Sequence, residues 1–247
     1  MVTCTVIHPN TGIGFELAAQ LLAKGNYHVL LACRSPDKGY AALQRLQSRD
    51  LPGTVCFTHL DVTDDASIHA AASQVEKDYG RLDVLVNNAA IGRAQEDDLR
   101  KKMRECFDTN ATGPAILGYA FEELLRKSDY PLKRIVNVSS GAGSIGRMFD
   151  PNRKAVTHYG RTIHYQASKA ALSMVTAQQA LDFAPHGVKV LCWNPGFTVS
   201  ELGPFNKVEH GAKPTEEAVR PLVEIIEGGR DGEAGVFLSE DGKSYPW

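Results

Sequence analysis

Short runs of β-branched and aliphatic residues alternate along the whole chain with stretches whose apolar residues recur at helical spacing. No other feature of the sequence limits the fold as much. The strand candidates are Val2–Ile7, His28–Ala32, Val55–Leu60, Val84–Val86, Arg134–Val138, Val188–Trp193 and Val236–Leu238. Between them, Ile13, Leu17 and Leu21 recur at i, i+4, i+8, and Ile68, Ala72, Val75 and Tyr79 at i, i+4, i+7, i+11. Ala218, Leu222 and Ile225 repeat the pattern near the end. Such spacing aligns side chains on one helix face. Runs apolar on both faces, such as His28–Ala32, ask for a sheet covered on both sides. The pattern predicts an α/β fold of Rossmann type: one doubly wound, seven-stranded parallel sheet with helices on both faces. No Pro/Gly/Ser linker interrupts it, so residues 1–247 are read as a single domain.

Charge and composition exclude several classes. Lys and Arg total 27 against 29 Asp and Glu, a net charge of −2, and nucleic-acid binders are usually strongly basic. No apolar run reaches the roughly 18 residues that span a bilayer, and no basic-then-apolar leader opens the chain, so no membrane partner is expected. The five cysteines are scattered and never spaced C-x-x-C, which favours a reducing, cytoplasmic setting with each thiol as a small hydrophobe. No His/Cys cluster has metal-ligand spacing, so no metal is expected.

Ligands of doubly wound sheets bind beyond the carboxyl ends of the strands. The first strand leads into Asn10-Thr11-Gly12-Ile13-Gly14 and then a helix. Glycines there let backbone approach a pyrophosphate and aim helix N–H groups at it. A plain strand-to-helix turn is the other reading. The second strand ends in Arg34-Ser35 where an acidic residue would favour NAD. A cation and a hydroxyl suit a 2′-phosphate, so NADP(H) is preferred over NAD(H). After the third strand, Asp61 and Val62 border the expected adenine site, although Asp61 serves equally as a helix cap. After the fourth, Asn88 and Ala89 are small and polar enough to wall a cleft.

The chemistry is expected after the fifth strand. Ser139-Ser140-Gly141 closes that strand, and Tyr165 and Lys169 follow at i, i+4, one turn apart on one helix face. An ammonium beside a phenol favours phenolate and lowers its pKa from about 10. Tyr165 is then suited to act as general acid in carbonyl reduction or as base in alcohol oxidation. A serine hydroxyl at the strand end can donate to the substrate oxygen as charge builds.

In order along the chain, these motifs make the sequence similar to the short-chain dehydrogenase/reductase family over essentially its whole length. The family's glycine motif falls on Ile7–Gly14, its N-N-A-G on Asn87-Asn88-Ala89-Ala90, and its active-site Asn on Asn110. Its Ser falls on Ser140, with Ser139 as the neighbouring alternative, and its Tyr-x-x-x-Lys on Tyr165 and Lys169. Its P-G segment falls on Pro195-Gly196, with Thr198 and Ser200 following. The resemblance implies that Tyr165 exchanges the proton, Lys169 tunes it and holds the nicotinamide ribose, and Ser140 orients the carbonyl. It further implies that Asn110 holds a water, and that the Pro195–Val199 backbone contacts the carboxamide. Leu31–Arg34, Asn194–Phe197 and the ending Pro246-Trp247 resemble fungal carbonyl-reductase-like members, which often reduce a ketone or aldehyde in secondary metabolism. A homodimer or homotetramer is also implied.

The chain departs from the family at His8 and Pro9, which replace the first glycine, at Ala90, and in a long segment 141–164 before the tyrosine. Within that segment Arg147, Arg153, Lys154 and Arg161 stand against Asp150, and the segment is expected to shape a substrate pocket through Arg147 and Phe149. Residues 197–214 are expected to form a lid carrying Phe197, Leu202 and Phe205. The expected activity is NADPH-dependent reduction of a small-molecule carbonyl. A non-redox isomerase, dehydratase or cyclase on the same pocket, and a cofactor-sensing binding protein, remain open.

Overall fold

The computed structural model describes residues 1–7, 10–92, 98–151, 162–233 and 235–247. Strand β1 (Val2–Ile7) leads to α1 (Gly12–Ala23), β2 (Tyr27–Cys33), α2 (Pro36–Gln47), β3 (Thr54–His59), α3 (Asp65–Tyr79) and β4 (Val84–Asn87). Then come α4 (Leu99–Phe107), α5 (Gly113–Ala120), α6 (Glu122–Arg126), β5 (Arg134–Val138), α7 (Ile145–Met148) and α8 (Ile163–Phe183). The chain closes with β6 (Lys189–Asn194), α9 (Thr215–Ile226), β7 (Phe237–Ser239) and β8 (Ser244–Tyr245).

The sheet runs β3-β2-β1-β4-β5-β6-β7-β8. Seven strands are parallel, as expected, and the order reverses beside β1, which opens the cleft of a doubly wound sheet there. The eighth strand goes beyond the sequence pattern. It pairs antiparallel with β7, placing Phe237 opposite Tyr245, and brings the C-terminal residues to the sheet edge.

Alternation along the strands feeds two cores. Val2, Cys4 and Val6 on β1, with Val29, Leu31, Val84, Val86, Val136 and Leu191, face α1, α2 and α9. Leu30, Leu85, Ile135 and Val190 point the other way, toward Ile68, Val75, Leu117 and Phe183. Each such buried aliphatic side chain contributes roughly 1.5–3 kcal/mol. The helical stripes read from the sequence lie where they should: Leu17, Leu21, Ile68, Ala72, Val75, Ala218, Leu222 and Ile225 are all buried.

Local signals set the helix starts. Ser35 caps α2, its Oγ accepting the Lys38 N–H, with Pro36 in the first turn. Asp64 caps α3 by accepting the Ala66 N–H at 3.0 Å, and Gly80 ends that helix at φ 69°. One buried ion pair ties the sheet to its last crossover. Arg134, fully buried, donates to Asp231 at 2.7 Å and to the Ile225 carbonyl.

Candidate active site

Loops at the carboxyl ends of β1, β2, β4, β5 and β6 surround a cavity of about 660 Å³, within the usual range for small-molecule sites. Asn10, Thr11, Gly12, Ile13, Arg34, Asn88, Tyr165, Lys169, Pro195, Ser200 and Leu202 line it, all of them expected site residues. A smaller adjoining pocket is walled by Asp61, Val62 and Ala89, with Arg34 bordering both.

The start of α1 has the features that suit an anion. Gly12 takes φ +60°, a conformation that suits glycine, and starts α1. Thr11 stands at the cap position without a side-chain cap bond, and the first turn carries no acidic residue. Asn10 is buried, and its Oδ1 has no partner within the protein. Exposed helix N–H groups with an unmatched polar atom beside them fit the pyrophosphate and ribose of a dinucleotide. His8 and Pro9 lie outside the described residues.

At the second strand end, Arg34 is joined by Lys38, one turn into α2, which lines the same cavity. Sequence reading missed Lys38; the signal was the Ser35-Pro36 helix start, which puts Lys38 in the first turn of α2. Asp61 does not cap α3. Its Oδ1 accepts the N–H (3.0 Å) and hydroxyl (2.8 Å) of Thr63 in a tight turn, and Asp64 is the cap.

The candidate catalytic pair, Tyr165 and Lys169, lies on α8. Lys169 is 1 % exposed, its Nζ donates to the Val138 carbonyl at 2.9 Å, and it lies 6.0 Å from the centre of the Tyr165 ring. Burial pushes the Lys169 ammonium down to about 8. The thiols nearby are not competing nucleophiles, because burial pushes Cys106 and Cys192 up to about 11. Asn110 sits in a π-helical turn, Asp108–Thr112, at the end of α4, a distortion frequent at functional sites. Its Nδ2 donates to Ile91 O and to Ser168 Oγ, both at 2.9 Å, and its Oδ1 accepts the Ile91 N–H at 2.8 Å. Ser168 in turn donates to the Tyr165 carbonyl at 2.8 Å. Asn110 thus locks the Tyr165 turn to the loop after β4. Both amide protons are used, so its side chain offers no further donor to a water.

Ser139 is buried beside the Cys192 thiol and lines the cavity. Ser140 follows in extended conformation, and its hydroxyl accepts the Ala142 N–H at 3.2 Å. Ser140 itself is not among the lining residues.

Several expected residues stand behind the wall rather than in it. Gly14 is buried in the first turn of α1, Ser35 caps α2, and Thr198 donates to the Pro195 carbonyl at 2.9 Å. Gly196 turns the chain at φ +71°. The structure does not bring Arg147, Phe149, Phe197 or Phe205 to the cavity. Arg147 stacks over Tyr245 instead, 4.8 Å from the ring centre, and Phe149 is 82 % exposed. Phe205 packs edge-on against His210. Arg153, Lys154 and Arg161 lie outside the described residues. Leu202 does face the cavity, and it lies so close to Gly92 that a Cβ there would stand 2.9 Å from it. No helix among the described residues is long and apolar enough to cross a membrane.

Comparison with known proteins places the chain among relatives of one family. The family model of the short chain dehydrogenases matches residues 5–207. Short-chain dehydrogenase anuI of Penicillium roqueforti is 36 % identical over 94 % of this chain and 91 % of its own length. Short-chain dehydrogenase/reductase tropE of Talaromyces stipitatus is 35 % identical over 96 % of this chain and 95 % of its own. The NADPH-bound carbonyl reductase from chicken fatty liver superimposes with a TM-score of 0.86 at 30 % identity, covering 100 % of this chain and 98 % of its own. A buried lysine one turn from a tyrosine, beside an uncapped helix N-terminus on this sheet, is therefore no isolated coincidence: the chain belongs to the short-chain dehydrogenase/reductase family.

Proposed function

We propose that the chain reduces a small ketone or aldehyde with NADPH, with Tyr165 as the proton donor. The observation that carries the proposal is the buried Lys169, held one turn from Tyr165 in the wall of a cavity that also takes in Arg34 and Lys38. The bound nucleotide supplies the hydride. The uncapped first turn of α1 receives its pyrophosphate, and Arg34 and Lys38 favour a 2′-phosphate over a bare ribose. The carbonyl reductase likeness supports that preference, since the chicken protein binds NADPH.

Tyr165 gives its proton to the carbonyl oxygen. Lys169 keeps its own proton below about pH 8 and so lowers the cost of the phenolate left behind. Asn110 and Ser168 fix the backbone turn that carries Tyr165, which limits the drift of its hydroxyl. The family resemblance assigns Ser140 to orient the carbonyl, with Ser139, the serine that lines the cavity, as the neighbouring alternative, and Leu202 is assigned to cover the substrate. The placement in secondary metabolism rests on the fungal resemblance, and assembly into dimers or tetramers on the family resemblance.

The test is NADPH and NADH titration followed by a panel of aldehydes and ketones, with NADPH consumption as readout. Tyr165→Phe is expected to lower kcat by roughly 10²-fold or more while leaving NADPH affinity within about threefold. An unchanged kcat in Tyr165→Phe would remove Tyr165 from the chemistry. Product formation without NADPH consumption would replace the reading with a non-redox isomerase or dehydratase.

A further inference from the structure

We infer that Glu240, on the C-terminal segment after β7, is a positioning residue that aligns the serine turn and the base of the lid. The inference rests on the reading of Ser140 as the hydroxyl that orients the carbonyl. Glu240 is far from Ser140 in sequence and outside every motif read from it.

The geometry begins with Asn194, the last residue of β6. Its Oδ1 accepts the N–H of Gly141, the residue after Ser140, at 2.9 Å. An amide can face either way unless its surroundings choose. Here Asn194 Nδ2 donates to Glu240 Oε2 at 3.0 Å. A carboxylate only accepts, so it admits the NH₂ end of Asn194 and refuses the carbonyl end. Nδ2 also donates to the Tyr245 hydroxyl at 3.4 Å, but Glu240 is the shorter and charged acceptor, and by holding Nδ2 it reinforces the Gly141 N–H in keeping Oδ1 toward Gly141. Ser140 is held in extended conformation by that bond on one side and by the Ser139 N–H donating to the Trp193 carbonyl at 2.7 Å on the other.

The other carboxylate oxygen governs the lid. Lys213 Nζ donates to Glu240 Oε1 at 3.1 Å. The Lys213 backbone pairs with the chain just after Pro195-Gly196: its N–H donates to Phe197 O at 2.9 Å, and its carbonyl accepts the Val199 N–H at 3.0 Å. One side chain therefore anchors both the turn that presents Ser140 and the segment expected to lie along the nicotinamide. Glu240 is itself constrained. Only 14 % of its side chain is exposed, and Ser239 Oγ donates to Oε2 at 2.9 Å. It also lies against Gly196, where an added Cβ would collide with its carboxylate.

The experiment compares wild type, Glu240→Gln and Lys213→Met by residue-resolved amide hydrogen exchange, without nucleotide, and then by turnover. In Glu240→Gln the charged acceptor that holds Asn194 Nδ2 becomes a neutral amide, which leaves the Gly141 N–H with less support in orienting Asn194. Exchange is expected to rise at least tenfold at Gly141 and severalfold at Val199, with β1 to β4 unchanged. Lys213→Met is expected to raise exchange at Val199 but not at Gly141. For any aldehyde the wild type reduces, Glu240→Gln is expected to lower kcat about tenfold and change the KM for NADPH less than twofold. Unchanged exchange at Gly141 in Glu240→Gln would overturn the inference. So would a uniform rise across the sheet, which marks a purely structural loss; if Glu240→Gln fails to fold, equal exchange at Gly141 and Val199 in Lys213→Met does the same. The exchange result stands even if no aldehyde is reduced, in which case the proposed activity fails and the positioning does not.

Discussion

Lys169 gives the sharpest quantitative test of the site, because burial has to be reconciled with charge. Its folded-state pKa falls from 10.5 to about 8, with burial as the cause. Between those values the unfolded chain binds a proton that the folded chain has released. Stability from this group therefore rises as pH climbs from about 8 toward 10.5, and below about 8 the full penalty applies. A tenfold change in proton affinity corresponds to about 1.36 kcal/mol, so the penalty at pH 7 is roughly 3 kcal/mol and at pH 10 roughly 1 kcal/mol. The perturbation is Lys169→Met, which keeps the unbranched stem and removes the charge. The assay is urea unfolding of the nucleotide-free protein at pH 7 and pH 10. Tyr130, Tyr79 and the buried Cys4, whose pKa values are raised by burial, make the whole protein less stable in alkali. That background is common to both proteins and cancels in the difference. Wild type is expected to gain roughly 2–3 kcal/mol on Lys169→Met between pH 7 and pH 10. A difference that does not move with pH would mean that Lys169 is solvated, and its role in tuning Tyr165 would lose its physical basis.

Two further outcomes follow from the same structure. Arg34→Ala removes a cation shared by both cavities, so kcat/KM with NADPH is expected to fall roughly 10- to 100-fold while that with NADH stays nearly constant, the size of a lost charge-assisted hydrogen bond; equal losses with both nucleotides would refute the 2′-phosphate assignment. Asp231 is raised by its own burial but held below the usual carboxylate range by hydrogen bonds from Arg134 and Lys189, and Asp231→Ala strands the buried Arg134, so urea unfolding is expected to show a loss of roughly 3–5 kcal/mol at neutral pH.

The central parallel strands were legible because their residues alternate between two cores. Val29 and Leu31 against Leu30 and Ala32 show this on β2. Strand β8 was not, since Ser244–Tyr245 has no apolar pattern and exists only because β7 is there to pair with. The same limit governs the site. Tyr165 and Lys169 announce themselves because an i, i+4 pair meets wherever a helix forms. Arg147 announces a charge but not a direction. Gly146 N donates to the Trp247 carbonyl at 2.9 Å and Ser144 Oγ to the Pro246 carbonyl, so the tail holds α7 against Tyr245, and Arg147 stacks there instead of facing the cavity. Those contacts join residues about a hundred positions apart, where no spacing rule applies. The charge of segment 141–164 is therefore no guide to substrate charge at Arg147. Among the described cations that do reach the cavity, Arg34 and Lys38 flank the capped start of α2 and Lys169 lies on α8, elements whose direction local signals already determine, while Lys207 lies in the irregular segment 197–214.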